Sequence, residues 1–296
     1  MDWKSRRITA LLEAALVEDK AAQDITTALT IDPSLRATGT IVAKQSCVVA
    51  GIGCIPVFLS LYDKLSARPV GRFEVVSHPE IFDGVRVKKG QAIAVIRANA
   101  ASILSTERVI LNLMQRMSGI ATLTNEYVKE VASTKSKTKI LDTRKTIPGL
   151  RALDKYAVSC GGGTNHRLDL QDGILIKNNH ISLGGGLPVV LARALAGRKP
   201  GQIVQVEVRN PAELEQAIAG GAESILLDNM TPKEVKKAVK QVRRALPMAT
   251  IEASGSMSLK TVRDYAKTGV DFISVGALTH SAAAVDLSMK ITADLY

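Results

Sequence analysis

The sequence predicts an α/β protein in which a small α+β domain precedes a barrel of about six parallel strands and their helices. Three observations carry this. Six short apolar runs in the second half of the chain each end in a charged or polar residue, and each is followed by a helix-like stretch. Their markers, Leu141, Ile176, Val206, Leu227, Glu252 and Val275, succeed one another at roughly 20 to 35 residues, the reach of a βα unit. The segment before them alternates like antiparallel strands. Parallel strands joined this way collect their C-terminal ends at one face, where such barrels carry their chemistry. Arg144, Lys145, Lys177, Glu207, Asp228 and Ser254 would meet there, a mostly basic face suited to an enzyme.

In chain order, Ile8, Leu11, Leu12, Ala15 and Leu16 repeat at helical spacing, which predicts a helix over 8–18. The least polar stretch, Gln45 to Tyr62, contains Gly51, Gly53 and Pro56; it reads as strand, turn and helix start, too broken to span a bilayer. Gly39–Ala43, Phe73–Val76, Val85–Val87 and Ile93–Ile96 read as strands separated by Gly, Asp and Lys-Lys-Gly turns. A long helix is expected over Ser102–Met117, with Leu104, Leu111, Met114 and Met117 as its apolar stripe. Arg108 borders that stripe, where a snorkelling arginine is the plain reading. Ser133–Lys139 is a polar connector into the first barrel strand, and Ala282–Tyr296 reads as a closing helix. The expected division is an N-terminal domain over 1–117, a barrel domain over 118–281, and a terminal helix over 282–296 returning to pack on the first.

At 296 residues the chain can bury one large core or two modest ones. The formal net charge of +11 invites an anionic partner: nucleic acid, a membrane surface or an acidic substrate. Aromatics at 3% leave few platforms for stacking bases, and no Lys/Arg block marks a basic arm, so neither nucleic acid nor a membrane is the expected partner. Three cysteines without CxxC spacing point to a reducing compartment, and the amphipathic start lacks a secretory apolar region, so a cytoplasmic protein is expected. The four histidines have no transition-metal spacing.

The charged residues cluster where strands should end. Arg144 and Lys145 follow the first barrel strand and cannot both lie on one strand face, which suits a loop pair reaching a polyanion. Gly161-Gly162-Gly163 lets the backbone turn tightly, and His166-Arg167 follows almost at once as a donor pair. Lys177 ends an otherwise apolar strand and has two functional readings, a Schiff-base nucleophile or an electrostatic clamp. Glu207 and Asp228 end neighbouring strands; they could bind sugar hydroxyls, hold a Mg²⁺-bound substrate, or stabilise positive charge on a reacting sugar. Ser254-Gly255 and Gly276, with His280 close by, occupy the positions where barrels commonly hold a phosphate on backbone N–H groups. A substrate suited to this mouth carries a phosphate at one end, hydroxyls in its middle and further negative charge at the other.

Asp142–Arg151, Lys155–Val158, Gly161–Arg167 and Leu175–His180 resemble quinolinate phosphoribosyltransferases, and so do Val206–Val208, Leu226–Met230, Glu252–Gly255 and Ser274–His280. Glu107-Arg108, Leu111-Asn112, Ser118–Thr122 and Asp24–Thr27 extend the resemblance over nearly the whole chain. It implies an incomplete barrel beside an open-faced sandwich, and transfer from 5-phosphoribosyl 1-pyrophosphate to quinolinate with Mg²⁺ as cofactor. Arg144, His166 and Arg167 would bind the quinolinate carboxylates, joined by Arg108 from the neighbouring subunit of a homodimer. Lys145 and Lys177 would face the pyrophosphate, Glu207 and Asp228 the ribose, and Ser254, Gly255, Gly276 and His280 the 5-phosphate. The metal would be held through the pyrophosphate, with Glu207 and Asp228 as its protein contacts.

Three positions depart from the family pattern. Asn178 stands where aspartate is frequent and Ile147 where threonine is. Lys44 stands where arginine reaches toward pyrophosphate across the dimer; lysine keeps the charge but loses the bidentate fork. Competing readings are a related barrel protein found with molybdenum transport genes, which tends to lack the Lys177 equivalent, and an aldolase using Lys177.

Overall fold

The computed structural model describes residues 1–66 and 71–294. The chain folds as two compact units: Met1–Leu123 with Ile147–Gly162 and Ala282–Tyr296, and Thr124–Thr146 with Gly163–Ser281. Where the sequence suggests one boundary near 117, the chain therefore passes between units several times, and residues 147–162 belong with the first.

In the first unit, α1 (Arg6–Glu18) buries Ile8, Leu12 and Leu16 at the expected spacing. Asp24 then caps the short α2 (Ile25–Thr30), its carboxylate accepting the Thr27 N–H at 3.0 Å. Five strands follow: β1 (Arg36–Ala43), β2 (Cys47–Val48), β3 (Glu74–Val76), β4 (Arg86–Val87) and β5 (Ala92–Asn99). Between β2 and β3 the backbone turns at Gly51, whose φ of +106° excludes most other residues, into the apolar α3 (Cys54–Leu65). In β1 burial alternates, as one-sided coverage of an antiparallel sheet requires.

Two helix readings change. The helix expected over 102–117 runs as α4 (Ala100–Ala132), because no glycine or proline cluster interrupts its pattern. The closing helix expected over 282–296 is not formed. Leu287–Ala293 is the last strand, β12, and pairs antiparallel with β1 from Ala43↔Leu287 to Ala37↔Ala293, completing a sheet of order β12-β1-β5-β3. The alanine run before it favours helix locally, but Ile291 and Thr292 suit a strand and the edge of β1 supplies a hydrogen-bonding partner. Residues 295–296 of that reading lie outside the described residues. Helix α5 (Arg151–Cys160) is also part of this unit; its buried Asp154 takes a two-pronged hydrogen bond from Arg116 at 2.9 and 2.8 Å.

The second unit holds six parallel strands: β6 (Lys139–Leu141), β7 (Ile174–Ile176), β8 (Val204–Val208), β9 (Ser224–Asp228), β10 (Thr250–Ser254) and β11 (Phe272–Ser274). They lie in the order β6-β11-β10-β9-β8-β7. Helices α6 (Asn178–Gly184), α7 (Leu187–Gly197), α8 (Pro211–Ala219), α9 (Pro232–Ala245), α10 (Val262–Ala266) and α11 (Ala277–His280) connect or follow them. Val204, Val206, Val208, Ile225, Leu227, Ile251, Ala253 and Ile273 are buried on one strand parity, with apolar helix stripes such as Val235, Ala238, Val239 and Val242 of α9 completing the core. The opposite parity holds Gln205, Glu207, Asp228, Glu252, Ser254 and Ser274 beside Leu141, Leu175, Leu226 and Phe272, so the inner surface mixes polar groups with apolar ones. β6 and β7 do not pair. The chain after Gly163 instead forms a bridge with β6 at Leu141↔Thr164, and the Arg167 guanidinium reaches the Gly173 carbonyl, just ahead of β7, at 3.3 Å.

Candidate active site

Short loops fix the two carboxylates. After β8, Asn210 caps α8 by accepting the Glu213 N–H at 2.9 Å, and Pro211 occupies the first turn. After β9, Thr231 and Glu234 form a capping box on α9, followed by Pro232. Lys177 follows β7, and its Nζ stands 3.7 Å from Glu207 Oε2, with the lysine half-exposed and the glutamate largely covered. Such an exposed pair contributes below about 1 kcal/mol, which leaves the lysine available to an anionic ligand. Asp228 Oδ2 accepts from Asn229 Nδ2 at 2.8 Å, while the Asn229 N–H donates to the Ser254 carbonyl at 3.0 Å. Asn229 adopts φ +55°, and any Cβ on the adjacent Gly255, itself at φ +101°, would collide with its Oδ1. The glycine thus lets the ends of β9 and β10 close up around Asp228 and Ser254.

The cations come from two loops. Lys145 lies against Gly276, where an added Cβ would meet both Lys145 Cδ and His280 Nε2 at 3.1 Å, and Thr279 Oγ1 donates to the Lys145 carbonyl at 2.9 Å. Lys145, Gly276 and His280 are therefore neighbours. Arg144 is half-buried, and its Nε has no hydrogen-bond partner among the described residues. Burial lowers the Arg167 guanidinium from its ordinary value, the like charge of Arg144 lowers it further, and Asp169 and Asp172 partly offset both. Two guanidiniums held together in this way favour a multiply charged anion.

His166 sits where backbone and ring are both held. Its N–H donates to the buried Asp142 at 2.8 Å, and its Nε2 lies 3.3 Å from Glu252 Oε2. No role follows from the sequence alone for Asp142, Gln205, Arg209, Asn229 or Glu252. The signal for Gln205 and Glu252 was strand parity, since each occupies the same face of its strand as Glu207 or Ser254. Arg209 bonds Glu213 at 3.0 Å; that hydrogen bond raises its guanidinium, with Glu207 and Asp228 adding to the effect. A cleft of about 540 Å³ is lined by His166, Arg167, Gln205 and Glu252 together with strand-start residues such as Ile174, Ser224 and Thr250, and its lining does not include Lys177, Glu207, Asp228 or Ser254.

Two expected site residues, Lys44 and Arg108, are borne by the first unit. Both are exposed, Lys44 following β1 and Arg108 on α4. Among the described residues no group of three or more His, Cys, Asp or Glu side chains could hold a metal ion, and no single helix is long and apolar enough to cross a membrane. Glu207 and Asp228, near the ends of the adjacent strands β8 and β9, nonetheless offer oxygen donors of the kind with which Mg²⁺ is held jointly with substrate phosphates.

Residues 24–118 match the family model for the quinolinate phosphoribosyl transferase N-terminal domain, and residues 120–290 match the C-terminal domain. The chain is 41% identical over 281 residues to a nicotinate-nucleotide pyrophosphorylase [carboxylating] of Mycobacterium leprae, covering 95% of each. It is 39% identical to a probable enzyme of the same name from Bacillus subtilis, covering 97% of this chain and 94% of the relative. The crystal structure of NadC from Streptococcus pyogenes superposes with a TM-score of 0.90 at 35% identity, covering 99% of both chains.

Proposed function

This chain belongs to the quinolinate phosphoribosyltransferase family, and from that premise we propose how its residues carry out phosphoribosyl transfer to quinolinate with decarboxylation. The activity is a pentosyl transfer serving NAD biosynthesis: quinolinate and 5-phosphoribosyl 1-pyrophosphate give nicotinate mononucleotide, pyrophosphate and CO₂. The observation that supports the assignment of residues is that Arg144 lies close enough to Arg167 for its like charge to lower that guanidinium, in the same unit as Lys177, Glu207 and Asp228.

In our reading Arg144 and Arg167 hold the quinolinate carboxylates, and His166 stands beside them. Glu207 and Asp228 take the ribose hydroxyls, Ser254, Gly255, Gly276 and His280 the 5-phosphate, and Lys145 and Lys177 the pyrophosphate. As the bond from ribose C1 to pyrophosphate breaks, the ring gains oxocarbenium character that the two carboxylates favour. The quinolinate nitrogen closes the new bond and becomes a pyridinium. Its charge stabilises the carbanion left when the adjacent carboxylate departs as CO₂, and a proton then completes the product. Orientation and charge are thus what the protein must supply. Mg²⁺, carried in on pyrophosphate against Glu207 and Asp228, would neutralise the leaving group.

A Schiff-base role for Lys177 finds less support, because a nucleophilic lysine is activated by desolvation and this one is half-exposed beside a carboxylate. We further infer a homodimer in which Arg108 and Lys44 complete the partner's site, and a cytoplasmic location that suits three free cysteines. A Mg²⁺-dependent assay with quinolinate and phosphoribosyl pyrophosphate tests the reading, with nicotinate and nicotinamide as control acceptors. Nicotinate mononucleotide and CO₂ should appear together from quinolinate alone; absence of both from folded protein would overturn it.

A further inference from the structure

Glu252 is a charged residue in the middle of β10, only 2% exposed, and the reaction scheme gives it no part. Its Oε2 accepts from Gln205 Nε2 at 2.8 Å and lies 3.3 Å from His166 Nε2, while its Oε1 is buried without a hydrogen-bond partner among the described residues. A carboxylate held this way is costly unless it fixes something. On the far side of the imidazole, His166 Nδ1 accepts the backbone N–H of Arg167 at 2.8 Å. An N–H donor at Nδ1 requires a bare lone pair there, so the ring carries its hydrogen on Nε2, facing Glu252. The backbone of His166 is pinned independently by Asp142 at 2.8 Å. Carboxylate, imidazole and peptide N–H therefore form a chain from the barrel interior to the residue that bears one of the two guanidiniums.

We propose that Glu252 is a positioning residue for the quinolinate side of the site, acting on Arg167 through His166. Both ring nitrogens are engaged inside the barrel, so His166 serves quinolinate as a strut that aims Arg167. This inference rests on the phosphoribosyltransferase reading for its substrate, but its geometry can be tested without turnover. Glu252→Gln can keep an oxygen acceptor for both His166 and Gln205, whereas Glu252→Leu removes it.

Three readouts decide the matter. In ¹⁵N-histidine NMR of the wild-type enzyme, with the His166 signals identified by their loss in His166→Gln, Nε2 should be protonated and Nδ1 bare. In steady-state kinetics Glu252→Leu should raise KM for quinolinate by roughly tenfold to a hundredfold, the scale of a misplaced binding group, with KM for phosphoribosyl pyrophosphate little changed. Glu252→Gln should restore most of the quinolinate affinity. An imidazolium, an Nδ1–H tautomer, or a Glu252→Leu enzyme with wild-type KM for quinolinate would overturn the proposal. Should Glu252→Leu fail to fold, the tautomer decides. Should wild-type enzyme not use quinolinate, the functional reading fails and the tautomer still tests the Glu252–His166–Arg167 chain.

Discussion

Lys177 and Glu207 show how little an ion pair must contribute to stability in order to matter for chemistry. Their 3.7 Å contact is half-open to solvent on the lysine side, so its loss should barely alter folding. In the proposed mechanism the same ammonium would face the leaving pyrophosphate and act where charge develops. Lys177→Ala is therefore expected to lower kcat by roughly two to three orders of magnitude with Tm unchanged. Parallel turnover and thermal-melt measurements check this, and near-wild-type turnover would remove Lys177 from the mechanism. Residue type and position made the lysine legible in the sequence. Glu252 was not, because a glutamate within an apolar strand shows its partners only once β8 and the loop after Gly163 have been brought alongside β10.

At the scale of elements, caps and strand edges decide between competing local preferences. Burial opposes ionisation of Asp24, but hydrogen bonds from Thr27, Ser105 and Thr26 outweigh it and hold the carboxyl below its ordinary value of 3.8. The stabilisation is thus fully present above 3.8 and is lost as pH falls through the lower folded value. Asp24→Ala should cost about 1 kcal/mol near neutral pH, measured by denaturant unfolding, and the gap to wild type should narrow in acid below that value. A gap independent of pH would mean that the carboxylate is not what caps α2. The C-terminal segment teaches the converse. Its alanine run favours helix, yet Leu287–Ala293 pairs with β1 along seven positions, and that long-range ladder outweighs local propensity.

For the whole molecule, the sequence-based resemblance places Arg108 in the site of a neighbouring subunit, and the surplus of positive charge suits two polyanionic substrates. If each site is shared, Arg108→Ala and Lys177→Ala enzymes, both inactive alone, should regain activity when unfolded and refolded together. Each mixed dimer would hold one intact site, giving roughly a quarter of wild-type turnover when subunits pair at random. No recovery from mixtures shown to contain heterodimer would confine each site to one chain.

By itself the sequence determined the six βα units and the polar strand ends, since these depend on local periodicity and on residue types at fixed spacings, and its linked motifs carried the resemblance to the family. Lys177, Glu207 and Asp228 were legible for the same reason: a charged residue at the end of an apolar run has few structural uses. Only the tertiary structure decided that residues 287–293 are a strand, that the loop after Gly163 bridges to β6 where β7 does not pair, and that His166 stands between Glu252 and Arg167. Each of these is a pairing between residues distant in sequence or an orientation set by such a pairing. Periodicity reports which face a residue occupies; the partner on that face is chosen by the fold.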